Sequence, residues 1–322
     1  MIHMKLVSIT LLFLLFAAGC FGQQVINKDP MAAKLVTSDI DLFWNAYDKA
    51  TLENDVLVYR NEYLRKGSEG LKAFNTMRIG GSCALVDSIN AAPKYYAALR
   101  EPSKKVVSYE AQIRASYKKL HDIYPEAVFP DVYFVIGRMN SAGTLTDKML
   151  LIGIDMFGKS TPDSLDELGT WHKAVVGRMD RLPYIVAHEL IHFQQKYPRT
   201  QTSDLLTRSI GEGSADFLAL LISGSHINPH LHEYGDPIEK DLWMEFKSEM
   251  NGRDVSRWMY QGDKAKDRPA DLGYYIGFKI TESYYKNALN KDQAIKDILD
   301  IRDVNEFLKK SGYEEKFKSN RR

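Results

Sequence analysis

The 322-residue sequence has only two cysteines, Cys20 and Cys83. A network of disulfides is therefore excluded, and stability has to come from core packing, helped by any bound metal. Charge of one sign is also missing. The formal net charge is +1 and no long acidic or basic block occurs, which argues against nucleic acid as a partner, since that would call for a basic stripe. No apolar run reaches the roughly 20 residues of a comfortable membrane span. Internal repeats and low-complexity tracts are absent too. The remaining composition is ordinary for a globular chain, with 44% hydrophobic and 26% charged residues, so a sizeable core is expected.

The first 22 residues differ from the rest. Lys5 supplies a short positive start, and Leu6 to Ala18 is almost wholly apolar, the length of a signal peptide rather than a span. Next comes Ala17-Ala18-Gly19-Cys20, which resembles the lipobox of bacterial lipoproteins, with Ala17 where a larger aliphatic residue is usual. Two fates fit these residues. Either Cys20 becomes the lipidated first residue of the mature chain, or cleavage after Gly22 leaves Gln23 first. Both imply export, to the cell envelope on a lipid anchor or as a secreted protein.

Residues 25–125 read as a helical region that scaffolds the rest of the chain. Ser38-Asp39-Ile40-Asp41 looks like a capping box, and Ser108 to His121 is amphipathic. Residues 126–322 are expected to form the functional domain. Val132 to Ile136 and Met149 to Met156 are β-rich runs that should pair in a small sheet, with Asn140 to Thr144 as the loop between them. From about Leu165 the chain turns helical again, closing with Val304 to Lys310 and a stop at Gly312.

The informative stretch is Tyr184-Ile185-Val186-Ala187-His188-Glu189-Leu190-Ile191-His192-Phe193. It contains His-Glu-x-x-His on a helix for which Asp180 is a candidate cap, with Pro183 in the first turn and Pro198 beyond the end. His188 and His192 lie four apart, on one face, where both imidazoles can reach a single ion. Glu189, about 100° round, can lean over water beside that ion. The remaining faces are apolar, so the helix is expected to be buried, and buried imidazoles and a carboxylate need partners.

A catalytic zinc of this kind takes a third protein ligand. Glu212 fits, twenty positions after His192 in Gly211-Glu212-Gly213-Ser214-Ala215-Asp216, within a helix expected over residues 205–222. Glycines flanking Glu212 cost that helix about 1 kcal/mol each, which suggests close approach to the His-Glu helix. Asp216, four after Glu212, could accept a hydrogen bond from a ligating imidazole and fix its orientation.

Together His188-Glu189-x-x-His192, Glu212 and Asp216 resemble the gluzincin metallopeptidases, of which thermolysin is the best-known type. The wider stretch is similar to a bacterial family described as zinc-dependent proteases of unknown function, through His188 to Gln195, Gly211 to Phe217 and Asp271 to Phe278. The resemblance covers about half the chain. It implies an α+β, predominantly helical zincin-like fold with a small sheet beside the active-site helix, one zinc per chain, Glu189 as general base, and a peptide or protein substrate. Relatives often draw an oxyanion donor from beyond the glutamate ligand, which makes Tyr274, Tyr275, His230 and His232 candidates. Met149 to Met156 is either an ordinary strand or one that pairs with extended substrate. Two rival functions remain beside a peptidase: a zinc amidohydrolase of the cell envelope, and a non-catalytic envelope lipoprotein that keeps the fold. An intact Glu189 speaks against the second.

Overall fold

The computed structural model describes residues 27–160, 162–197 and 203–318. The export segment with Cys20, and also Pro198, lie outside them. Among the described residues the fold is α+β and predominantly helical, with one four-stranded sheet in the order β1-β2-β4-β3. The strands are β1 (Leu35–Val36), β2 (Asp131–Val135), β3 (Gly143–Leu145) and β4 (Met149–Gly153). β2 lies parallel to both β1 and β4, while β3 is antiparallel to β4 at the edge. Val132 to Val135 and Leu150 to Ile152 are buried. Such unbroken apolar runs suit strands covered on both faces.

The expected pairing of the two β-rich runs is present. The stretch between them, expected as a loop, carries β3. Thr146 shapes the turn, its Oγ1 accepting from the backbone N–H groups of Lys148 and Met149. A strand of three residues is too short for alternation to show in sequence. β4 lies between β2 and β3, so both its edges are used and it cannot pair with a substrate; β3 holds the edge position instead.

The sheet takes strands from both sides of residue 125. Tyrosines of the N-terminal helices also bond backbone groups just after β2 and β4. The Tyr63 hydroxyl donates to Ile136 O (2.7 Å) and accepts from Ile136 N, Tyr95 donates to Asp155 O (2.6 Å), and Tyr96 to Gly137 O (2.9 Å). Buried apolar residues from both regions join one core.

Local signals hold at some helix ends and fail at others. Helix Ser38–Lys49 starts after Thr37 with no side-chain cap, and Asp39 instead accepts from the Ser68 N–H (2.9 Å). Helix Leu182–Gln194 comes after Arg181, again uncapped by a side chain, with Pro183 in its first turn. Asp180 bonds Arg178 rather than the helix end. Helix Leu205–Ser223 is capped by Asp204, which accepts from Thr207 N, and stops at left-handed Gly224. Helix Val304–Ser311 stops at Gly312. Helix Leu272–Asn287 lies against Leu205–Ser223: a Cβ on Gly213 would come within 2.1 Å of Phe278 N, and one on Gly277 within 1.7 Å of Ser209 O. The close approach that Gly213 permits is therefore to this third helix, not to the His-Glu helix, because Gly213 faces away from the cluster that Glu212 faces.

Candidate metal centre

The helix Leu182–Gln194 is buried nearly throughout, including His188, Glu189 and His192. Its i,i+4 spacing sets the two imidazole rings 4.4 Å apart between centroids. Helix Leu205–Ser223 brings Glu212 to meet them. Glu212 Oε2 lies 2.9 Å from His192 Nε2 and 3.6 Å from His188 Nε2, and one ligand atom from each of the three falls within 4.8 Å of the others. A tetrahedral ion with bonds of about 2.0–2.1 Å spaces its donors about 3.4 Å apart. The donors present fit such an ion with small adjustments.

The outer nitrogens fix both rings. His192 Nδ1 lies 2.8 Å from Gln195 Oε1, while Gln195 Nε2 donates to Gly211 O (2.9 Å) and Ser214 Oγ (2.9 Å). A carbonyl can only accept, so the amide orientation is set and its oxygen must face an N–H on His192. His188 Nδ1 lies 2.7 Å from Asp216 Oδ1. That contact is close but poorly aligned, and neither atom makes a well-directed hydrogen bond to another group. Asn228 Nδ2 donates to Asp216 Oδ2 (3.0 Å) and holds the carboxylate in place. With each Nδ1 protonated and turned outward, both Nε2 lone pairs face the cluster.

Electrostatics support the same fit. Burial works against a charged His188, yet the Asp216 and Glu212 carboxylates outweigh it and push its pKa up to about 10. A buried site of this composition wants positive charge, and a proton or a divalent cation can supply it.

The cluster opens into a cleft of about 1570 Å³. Glu189 lies on its wall and outside the ligand set. A Cβ on Gly143 of β3 would sit 2.5 Å from Glu189 Oε1, so glycine at this position lets the edge strand lie directly on the carboxylate. Tyr274 and His230 also line the cleft. Burial raises the Tyr274 hydroxyl well above its usual value, with Glu212 adding to the effect, and burial lowers His230. Tyr275 and His232 are placed elsewhere. Tyr275 donates to Asp236 (3.0 Å), and His232 packs on Tyr275 and Phe278, where burial pushes it down to about 4. The one-residue step along a helix that turns Tyr274 toward Glu212 turns Tyr275 away.

Three residues at the site carry no mark in the sequence pattern: Gln195, Asn228 and Tyr260. Tyr260 donates to Glu212 Oε1 at 3.4 Å from a loop distant in sequence. Its backbone is left-handed (φ 61°), as is that of Asp271 (φ 66°), and the Tyr260 N–H donates to Asp271 Oδ1. Two non-glycine residues in this region cost about 1–3 kcal/mol each, and such strain tends to collect at functional sites.

Residues 171–304 match a family described as a predicted Zn-dependent protease. Residues 85–235 match a family described as gliding motility protein GldB, under a lipoprotein label. Both matched ranges contain His188, Glu189, His192, Glu212 and Asp216. No curated protein and no solved structure matches the chain.

Proposed function

We propose that this chain is an exported zinc-dependent metallopeptidase in which His188, His192 and Glu212 hold one zinc ion and Glu189 is the general base. The observation that carries this reading is the convergence of the three ligands with Glu189 beneath an open edge strand. Zinc, when bound, would supply a Lewis acid that polarises a carbonyl and lowers the pKa of water. Glu189 takes the proton of the attacking water and delivers it to the leaving amine. Asp216 and Gln195 keep the imidazoles oriented, and Tyr260, Tyr274 and His230 are the cleft-lining groups that could donate to the developing oxyanion.

The edge strand supports a peptide as substrate. The Gly153 N–H donates to Ala142 O and the Thr146 N–H to Met149 O. By antiparallel alternation Ala142, Thr144 and Thr146 pair with β4, while the backbone groups of Gly143 and Leu145 point away from β4, where Gly143 O also accepts from Ser141 Oγ (2.8 Å). An extended peptide can add there as a further strand. The lipoprotein label of the second matched family supports a place in the cell envelope, and among the described residues no helix is long and apolar enough to cross a membrane. Mass spectrometry of the mature N-terminus separates a lipidated Cys20 from a plain Gln23.

The test of function is cleavage of a randomised peptide mixture by the zinc-loaded protein beside Glu189→Gln. Cleavage should be plain in the first and lower by about 10²- to 10⁴-fold in the second. Zinc-loaded protein that leaves every peptide intact would overturn the peptidase reading and favour the amidohydrolase or the non-catalytic lipoprotein.

A further inference from the structure

The cleft wall carries several cations, and they are not equivalent. Arg268 is paired with Glu245 (2.9 Å) and lies over the Trp258 ring. Arg181 donates to Ser225 Oγ and His226 O and stacks on Tyr184. Arg78, in the short π-helix Asn75–Ile79, is half-buried and lines the cleft, but it has no carboxylate partner among the described residues. Its guanidinium makes one hydrogen bond, from Nη2 to Thr144 Oγ1 (2.9 Å), and its buried Nε has no partner. A half-buried guanidinium with donors unused is an incomplete site for a carboxylate, which accepts two parallel bonds from it.

Its position says which part of a ligand would complete it. Along β3, Gly143 faces Glu189 on one side of the sheet, and the Thr144 side chain faces Arg78 on the other. Thr144 pairs with β4 by hydrogen bonds, so it forms a non-hydrogen-bonded pair with any strand added at the open edge. In such pairs the Cα atoms lie about 4.5 Å apart and the two side chains emerge together on one face. We infer that Arg78 is a specificity residue that selects an acidic side chain, aspartate or glutamate, at the substrate position opposite Thr144. The inference rests on the peptidase reading for the direction of the strand, and on Arg78 and Thr144 alone for the charge.

The test is a binding selection with zinc-loaded Glu189→Gln, which does not depend on turnover. The protein captures peptides from a randomised octapeptide pool in free competition, and the bound fraction is sequenced by mass spectrometry. One position should be enriched about ten-fold or more in Asp and Glu over Asn and Gln. Adding Arg78→Gln should abolish that enrichment, Arg78→Lys should keep part of it, and Arg78→Glu should shift it toward Lys and Arg. Thr144→Val, which removes the hydrogen bond and leaves the charge, should preserve it, a result that a merely structural role for Arg78 would not give. Bound peptides without charge preference, or a preference unmoved by Arg78→Glu, would overturn the inference and leave the peptidase reading standing. Acidic enrichment together with failure of the Glu189 enzyme to cleave the same peptides would uphold Arg78 and overturn the peptidase reading. Capture of no peptide at all would overturn the inference, while the peptidase reading stands or falls on cleavage by the zinc-loaded Glu189 protein.

Discussion

Each imidazole has one nitrogen committed away from the cluster, His188 Nδ1 to Asp216 and His192 Nδ1 to Gln195. Losing either partner removes no ligand but frees a ring to rotate or change tautomer. Asp216→Ala and Gln195→Met should each weaken zinc binding by about 10- to 100-fold, read by competition with a chelating dye, while His188→Ala should nearly abolish it. His188 sets the sign of the pH dependence. Its pKa is raised from 6.5 to about 10 in the metal-free fold, so its proton stabilises that fold fully below pH 6.5, and the contribution is lost as pH rises through about 10. Metal-free protein should melt at progressively lower temperature across that window. Zinc affinity should climb over the same range, because the ion displaces the proton. A flat melting temperature from pH 6.5 to 10 in metal-free protein would show that His188 is not held protonated. At this scale the clustered His188, His192 and Glu212 are legible in the sequence, because i,i+4 histidines and a glutamate between glycines leave marks there. Gln195 and Tyr260 are not, because a glutamine at a helix end and a tyrosine in a distant loop acquire their roles only through folding.

Elements position these side chains, and two glycines carry much of that geometry. Gly143 allows β3 to lie against Glu189, and a methyl group there would meet the carboxylate at 2.5–2.7 Å. Gly143→Ala should therefore displace Glu189 or lift the edge strand. The expected result is loss of hydrolysis with zinc content unchanged, measured by elemental analysis beside peptide turnover. Gly213→Ala acts elsewhere. Its methyl would press on the backbone of Gly277 and Phe278, spreading the helices Leu205–Ser223 and Leu272–Asn287, and overpacking of this kind costs about 1–3 kcal/mol. The melting temperature should fall, and the metal centre should loosen only as the fold does. Helices are readable because periodicity persists over many residues. β3 is not, since its three residues show no alternation and its identity comes from pairing with β4. The glycines beside Glu212 stand out in the sequence, but which helix they admit depends on packing that only the whole fold supplies.

At the scale of the molecule, the N-terminal helices and the part that carries the His188, His192 and Glu212 cluster are coupled through the sheet and through the hydroxyls of Tyr63, Tyr95 and Tyr96. β1, from residues 35–36, pairs with β2, and removing it would expose the edge of an apolar parallel strand. The three tyrosines are buried, and their hydroxyls satisfy backbone groups at Ile136, Asp155 and Gly137. Without them those buried carbonyls would lack partners, at about 1–3 kcal/mol each. Helix Glu110–Ile123 also packs on the His-Glu helix and on the helix that carries Glu212. A fragment of residues 126–322 holds every proposed ligand, yet it lacks the surfaces that bury their helices. It should therefore be insoluble or molten and bind zinc weakly, whereas residues 27–322 should unfold in one cooperative step, monitored by circular dichroism and calorimetry. Two separate transitions in the longer chain, or a well-folded short fragment with stoichiometric zinc, would show that the helical region is an independent unit. The coupling has a functional corollary, because Tyr63 and Tyr96 bond the backbone between β2 and β3. Tyr96→Phe removes one of those bonds while leaving the ring packed. It should lower stability by about 0.5–1.5 kcal/mol and raise KM for extended peptides more than it lowers kcat, since the strand loosened is the one proposed to receive the substrate.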